Sequence, residues 1–79
     1  MRLPRDISSK ELIKLLKKFG YQITRQKGSH IRVTTTQRGE HHITIPNHDP
    51  IRLGTLSSII SAVANHFKKT KEEIAAEIF

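Results

Sequence analysis

Three short runs of alternating side chains, separated by two glycine-bearing breaks, constrain this chain more than any other feature. Residues 21–25, 30–34 and 42–45 each alternate apolar and polar residues, the pattern of half-buried strands. Their parities restrict how they pair. Placing Ile23, Ile31, Val33, Ile43 and Ile45 on one face predicts Ile23 opposite Ile31 and Val33 opposite Ile43. The first turn is then the three-residue loop Gln26-Lys27-Gly28, and the second is Gln37-Arg38-Gly39. Each loop has glycine third, where the backbone needs a left-handed residue. The expected product is a three-stranded antiparallel meander, ended by Pro46, which cannot donate to a ladder.

Helices flank the meander. Ser8 and Glu11 form a capping box ahead of Leu12, Leu15, Leu16 and Phe19, and Gly20 suits the residue after a helix. The spacing predicts a first helix over about 9–19, with Lys10, Lys14, Lys17 and Lys18 on its other face. Thr55 is placed to cap a second helix carrying Leu56, Ile59, Ile60, Val63 and Phe67. Thr70 and Glu73 form another capping box, which opens a short helix over about 71–78.

The order is α-β-β-β-α(-α), an α+β fold in one domain spanning 1–79, with its core over about 6–67. Only one sheet face is apolar, so the first two helices pack on it. The other face is left open and collects Gln22, Thr24, His30, Arg32, Thr34, His42 and Thr44. In this register His30 lies between Thr24 and Pro46, and Arg32 lies between Gln22 and Thr44.

Charge narrows the partner. The net charge is +7. Residues 1–39 carry +8, from ten Lys/Arg and two Asp/Glu, and residues 40–79 carry −1. A basic front half favours a polyanion, with nucleic acid foremost. There is no cysteine, so neither disulfides nor thiolate metal sites contribute. No apolar run approaches the ~20 residues of a membrane span, and the first residues lack a signal-peptide core. The expectation is a cytoplasmic protein.

The side-chain spacing rules out some chemistry. His30 and His42 sit roughly 13 Å apart along the sheet, at ~3.3 Å per residue, which is too far to share a metal. No His/Asp/Glu set has convincing ligand spacing, so neither metal nor cofactor is expected. Ser29 and His30 as consecutive strand residues would face opposite ways, which argues against a hydrolase dyad.

RNA cleavage asks for less. The substrate's own 2′-OH can attack the adjacent phosphate, so the protein supplies an acid or base working near neutral pH and cations for the developing charge. Histidine suits the first task. Arg25, Lys27 and Arg32 suit the second. Local chemistry leaves three readings open: cleavage through His30, RNA binding without cleavage through the same open face, and binding of an acidic protein.

Several stretches resemble the HicA toxins of bacterial toxin–antitoxin modules. They are Ser8-Ser9-Lys10-Glu11-Leu12, Phe19-Gly20-Tyr21, Arg25-Gln26-Lys27-Gly28-Ser29-His30, Ile45-Pro46-Asn47-His48, and Gly54-Thr55-Leu56 followed by Ile59-Ile60. The resemblance covers about residues 6–64. It implies a fold similar to double-stranded-RNA-binding domains and mRNA interferase activity without a metal. It implies that the histidine of Gly-Ser-His, here His30, is essential and that a cognate HicB antitoxin covers the active surface. Thr24, Arg25, Lys27, Gly28, Ser29 and Arg32 are then the expected RNA-binding residues, with His48 an auxiliary candidate. Two departures stand out. Ser57 occupies a place where many relatives carry a basic residue, and the tail beyond about Asn65 runs longer than the family minimum.

Overall fold

The computed structural model describes residues 2–79. Helix α1 spans Ser9–Leu16 and runs into a turn of 3-10 helix at Lys17–Phe19. Strands β1 (Gln22–Lys27), β2 (His30–Thr35) and β3 (His41–Pro46) follow, then α2 (Leu53–Phe67) and α3 (Lys71–Ile78). The sheet is antiparallel in the order β1-β2-β3. This is the expected α+β meander with its helices on one face.

Local chemistry accounts for the helix ends. The Ser8 hydroxyl accepts from the Glu11 backbone N–H at 3.1 Å and starts α1. Gly20 closes that segment with φ of 84°. A Cβ on Gly20 would lie 2.8 Å from Thr35 Oγ1, and that hydroxyl donates to the Phe19 carbonyl at 2.7 Å. At this point glycine permits both the left-handed turn and the close approach to β2. The Thr70–Glu73 capping box is complete in both directions.

Helix α2 begins earlier than expected. Its N-cap is the extended Arg52, which offers no side-chain cap, and Thr55 lies inside the first turn. The preceding loop is tied down before it reaches Thr55: Ile51 is buried and its N–H donates to the Ile7 carbonyl at 2.8 Å.

The core lies between the sheet and the helices. Leu12, Leu16, Tyr21, Val33, Ile45, Leu56, Ile60, Val63 and Ile74 are all fully buried. Burying one such aliphatic side chain contributes about 1.5–3 kcal/mol. The C-terminal helix belongs to this core through Ile74, Ala75 and Ile78.

The β1–β2 register differs from the expected one. Ile23 pairs with Val33, not Ile31, and the pairing shifts by one residue between Ile23 and Arg25. Thr24 is the extra residue of a β-bulge there. Beyond the bulge Arg25 faces Arg32, Gln26 faces Ile31 and Lys27 faces His30. The connection is therefore the two-residue turn Gly28-Ser29, and Gln26 and Lys27 belong to β1. His30 neighbours Lys27 and not Thr24, and Arg32 neighbours Arg25 and not Gln22. Side-chain parity alone cannot reveal a bulge, because one inserted residue reverses every later parity in the strand.

Two smaller differences accompany the shift. Ile23 lies on the helix side of an edge strand and is 52% exposed, not a core residue. The second turn keeps its expected position, with Gly39 N–H donating to the Thr36 carbonyl at 3.3 Å. However, Arg38 (φ 57°) shares the left-handed conformation with Gly39 (φ 97°).

Candidate active site

The site is built on the β1–β2 hairpin. Gly28 has φ of 57° and Ser29 is not left-handed, the pattern of a II′ turn with glycine at its first central position. This tight turn places His30 at the first position of β2, flanked by Lys27 on one side and Pro46 on the other. One residue pair further along, Arg32 stands between Arg25 and Thr44.

The bulge at Thr24 sets the composition of this face. Regular alternation from Ile23 would send Arg25 and Lys27 to the helix side. With the extra residue inserted, both reach the open side instead. A shallow pocket there is lined by Arg25, Lys27, His30, Arg32 and Thr44. Three cations and an exposed imidazole thus converge without a carboxylate in the lining. Such a cluster attracts an anion, and the histidine beside it is open to solvent. No side-chain hydrogen bond engages the His30 ring among the described residues.

The other side of the pocket is held from beneath by Ser9. This buried hydroxyl donates to the carbonyls of Pro46 and, at 3.0 Å, His48. It also accepts from the His48 backbone N–H at 2.8 Å, while the Ser9 N–H donates to the His48 carbonyl at 2.9 Å. The N-terminus of α1 therefore fixes the strand end beside His30. Sequence reasoning missed Ser9, which reads only as one more residue after a helix cap. The Asn47 N–H donates to the Ser29 carbonyl at 2.7 Å and ties the hairpin turn to the same loop.

A hydrogen-bond chain crosses the open face further along. Thr24 Oγ1 and Thr34 Oγ1 are 2.8 Å apart, Thr34 Oγ1 lies 2.7 Å from His42 Nδ1, and His42 Nε2 lies 2.8 Å from Glu40. In a neutral ring, Nε2–H donates to the carboxylate and Nδ1 accepts from the threonine hydroxyl. Glu40 immediately precedes β3 and lies two residues before His42, a spacing the sequence carries.

The remaining expected residues fall in different places. Ser29 is an exposed turn residue, not a strand residue. His48 is exposed, its backbone held by Ser9, and its side chain is not among those lining the His30 pocket. Ser57 accepts from Lys71 Nζ at 2.6 Å, so a cation from α3 does stand beside that position. Among the described residues no three His, Asp or Glu side chains converge as metal ligands.

At the far end of the sheet a second aromatic and histidine cluster has a structural role. His41 and His66 stack with ring centres 4.4 Å apart, and the Tyr21 hydroxyl and His41 Nδ1 are hydrogen-bonded at 2.7 Å. His66 Nε2–H donates to the carbonyls of Gln37 (2.9 Å) and Gly39 (3.1 Å), pinning the second turn to α2. Burial pushes the Tyr21 hydroxyl up to about 12. Burial also lowers His41 below the usual histidine range, helped by the neighbouring His66 and His42.

No helix among the described residues is long and apolar enough to cross a membrane. A family model described as the HicA toxin of bacterial toxin–antitoxin systems matches residues 9–69, well over half of the 79-residue chain. No curated protein and no solved structure matches the chain.

Proposed function

The chain belongs to the HicA family of toxins from bacterial toxin–antitoxin systems, and from that membership we propose that it is an endoribonuclease, an mRNA interferase working at the open sheet face. The observation that carries the reading is the exposed His30 in a pocket lined by Arg25, Lys27 and Arg32 without a carboxylate. The site suits a reaction in which the substrate provides its own nucleophile.

RNA lies across the open face with a phosphate among the three cations. The 2′-oxygen of the preceding ribose attacks that phosphorus, and the bond to the 5′-oxygen of the next nucleotide breaks. His30 takes the proton from the 2′-hydroxyl as base, or gives one to the departing 5′-oxygen as acid, and water exchanges the other proton. The products are a 2′,3′-cyclic phosphate and a 5′-hydroxyl. Arg25, Arg32 and Lys27 offset the charge that builds on the phosphate oxygens. No step requires a metal. Thr24, Gly28 and Ser29 line the approach of the strand as backbone and hydroxyl contacts. His48 contributes at most from the neighbouring loop.

The partner that restrains this activity is a HicB-like antitoxin, and the working compartment is the cytoplasm, where mRNA is met. Inducing the wild-type chain and His30→Ala in cells, while following growth and mRNA integrity, tests the proposal. Growth arrest with mRNA loss for the wild type alone is expected. A folded alanine variant that still arrests growth and cuts mRNA would remove His30 from the mechanism.

A further inference from the structure

The helix side of β1 presents a feature that the cleavage reaction does not use. A groove runs between α1 and β1, with Ile13, Ile23 and Ile31 forming its floor. Lys10, Lys14 and Lys17, all exposed, stand along its α1 rim. Ile23 is 52% exposed, the most exposed large apolar side chain among the described residues. β1 is an edge strand, and among the described residues its outer backbone groups have no hydrogen-bond partner in the protein. None of the three lysines has a carboxylate within salt-bridge distance among the described residues.

We propose that this groove receives an acidic segment of a protein partner, with a large apolar side chain seated on Ile23 and carboxylates facing Lys10, Lys14 and Lys17. The apolar floor separates this surface from the His30 pocket, which is lined by cations, histidine and threonine. RNA would satisfy the lysines but leave Ile23 facing a polar backbone. A second copy of this chain would bring its own net charge of +7 against the same rim. An acidic, apolar-anchored protein segment satisfies rim and floor together, and a free strand edge offers it main-chain hydrogen bonds as well. The groove lies on the opposite side of β1 from Arg25 and Lys27. A partner that covers the open face gains a further hold on the toxin there, through residues that do not line the His30 pocket.

The inference rests on the family's implication that an antitoxin partner exists, and its test uses the cognate antitoxin. The full-length wild type, Ile23→Asp, and the double variant Lys14→Glu/Lys17→Glu are compared for antitoxin binding by calorimetry and for cleavage of a labelled RNA. Each variant is checked for an unchanged unfolding temperature, and Ile23→Ala serves as a milder second probe of the floor. Both charged variants are expected to bind antitoxin about ten-fold or more weakly, as for loss of a central apolar or charged anchor, while cutting RNA at the wild-type rate. Wild-type affinity in both variants would overturn the groove as the docking site and leave the family partner intact. Normal antitoxin binding with weakened RNA binding in the lysine variant would make the rim an RNA surface and equally overturn the proposal. A wild-type chain that binds no antitoxin would remove the partner itself.

Discussion

Arg25 stands directly opposite Arg32 across the β1–β2 ladder, and both side chains line the pocket that holds His30. Like charges in that position weaken a hairpin by about 0.2–1 kcal/mol. Their placement makes sense if a phosphate comes between them. Arg25→Ala is therefore expected to leave thermal stability unchanged or slightly raised while weakening RNA binding. The slope of log affinity against log salt should become shallower by about one for the lost phosphate contact. A variant that unfolds earlier and binds RNA normally would show that the pair serves the fold.

The turn at Gly28 determines where His30 points. Gly28 is left-handed at φ 57°, and a Cβ added there meets nothing within 4 Å. Any cost of substitution is thus conformational and not steric. Gly28→Val should destabilise the protein by about 1–2 kcal/mol and reduce cleavage, with Gly28→Asn milder on both counts. Thermal unfolding alongside a cleavage assay checks this. Equal behaviour of the two variants would contradict the II′ geometry.

Ser9 holds the opposite side of the pocket. Removing its hydroxyl takes one partner each from the His48 N–H and the Pro46 carbonyl, which keep their backbone bond to each other at 3.0 Å. Ser9→Ala should therefore cost about 0.5–1.5 kcal/mol, the range for a lost hydrogen bond whose partners stay paired, as read from denaturant unfolding. Cleavage should fall as well, because Pro46 flanks His30. A variant as stable as the wild type would show that water replaces the hydroxyl without penalty.

The Tyr21–His41–His66 cluster makes stability depend on pH. His41 is held below the usual histidine range by burial first, then by His66 and His42. The unfolded chain therefore binds this proton more readily than the folded one. The stability that neutral His41 confers is complete above its unfolded value of about 6.5 and is lost as pH falls through the lower folded value. The wild-type unfolding temperature should drop between pH 7 and pH 5, and His41→Phe should drop less. Parallel losses in the two proteins would place the acid sensitivity elsewhere.

Much of this architecture was readable from residue order. The Ser8 and Thr70 caps, Gly20, the apolar parities of β2 and β3 and the stop at Pro46 are all local signals, and the β2–β3 register follows from them. His30 and Arg32 on the open face follow from the same alternation. The β1 register was not readable, since the bulge at Thr24 leaves no mark on composition and exchanges the faces of Arg25 and Lys27. The exposure of Ile23 depends on how far α1 covers an edge strand, a tertiary property. Ser9 gains its role only when the loop at His48, 39 residues away, folds back beneath α1. Glu40 and His42 did carry a legible sign in their two-residue spacing.

Metal-free cleavage of RNA through His30, as proposed above, is checked by incubating chelator-treated wild type and His30→Ala with one labelled RNA and with the same strand blocked as its 2′-O-methyl form. Unfolding temperature and RNA affinity of both proteins are measured in parallel. The expected result is wild-type cleavage of the unblocked strand alone, a 2′,3′-cyclic phosphate on the product, and a loss of about 10²–10⁴ in rate for His30→Ala with binding and stability retained. Cleavage by the folded His30→Ala protein at the wild-type rate would remove His30 from the reaction, and cutting of the blocked strand would remove the 2′-hydroxyl as nucleophile.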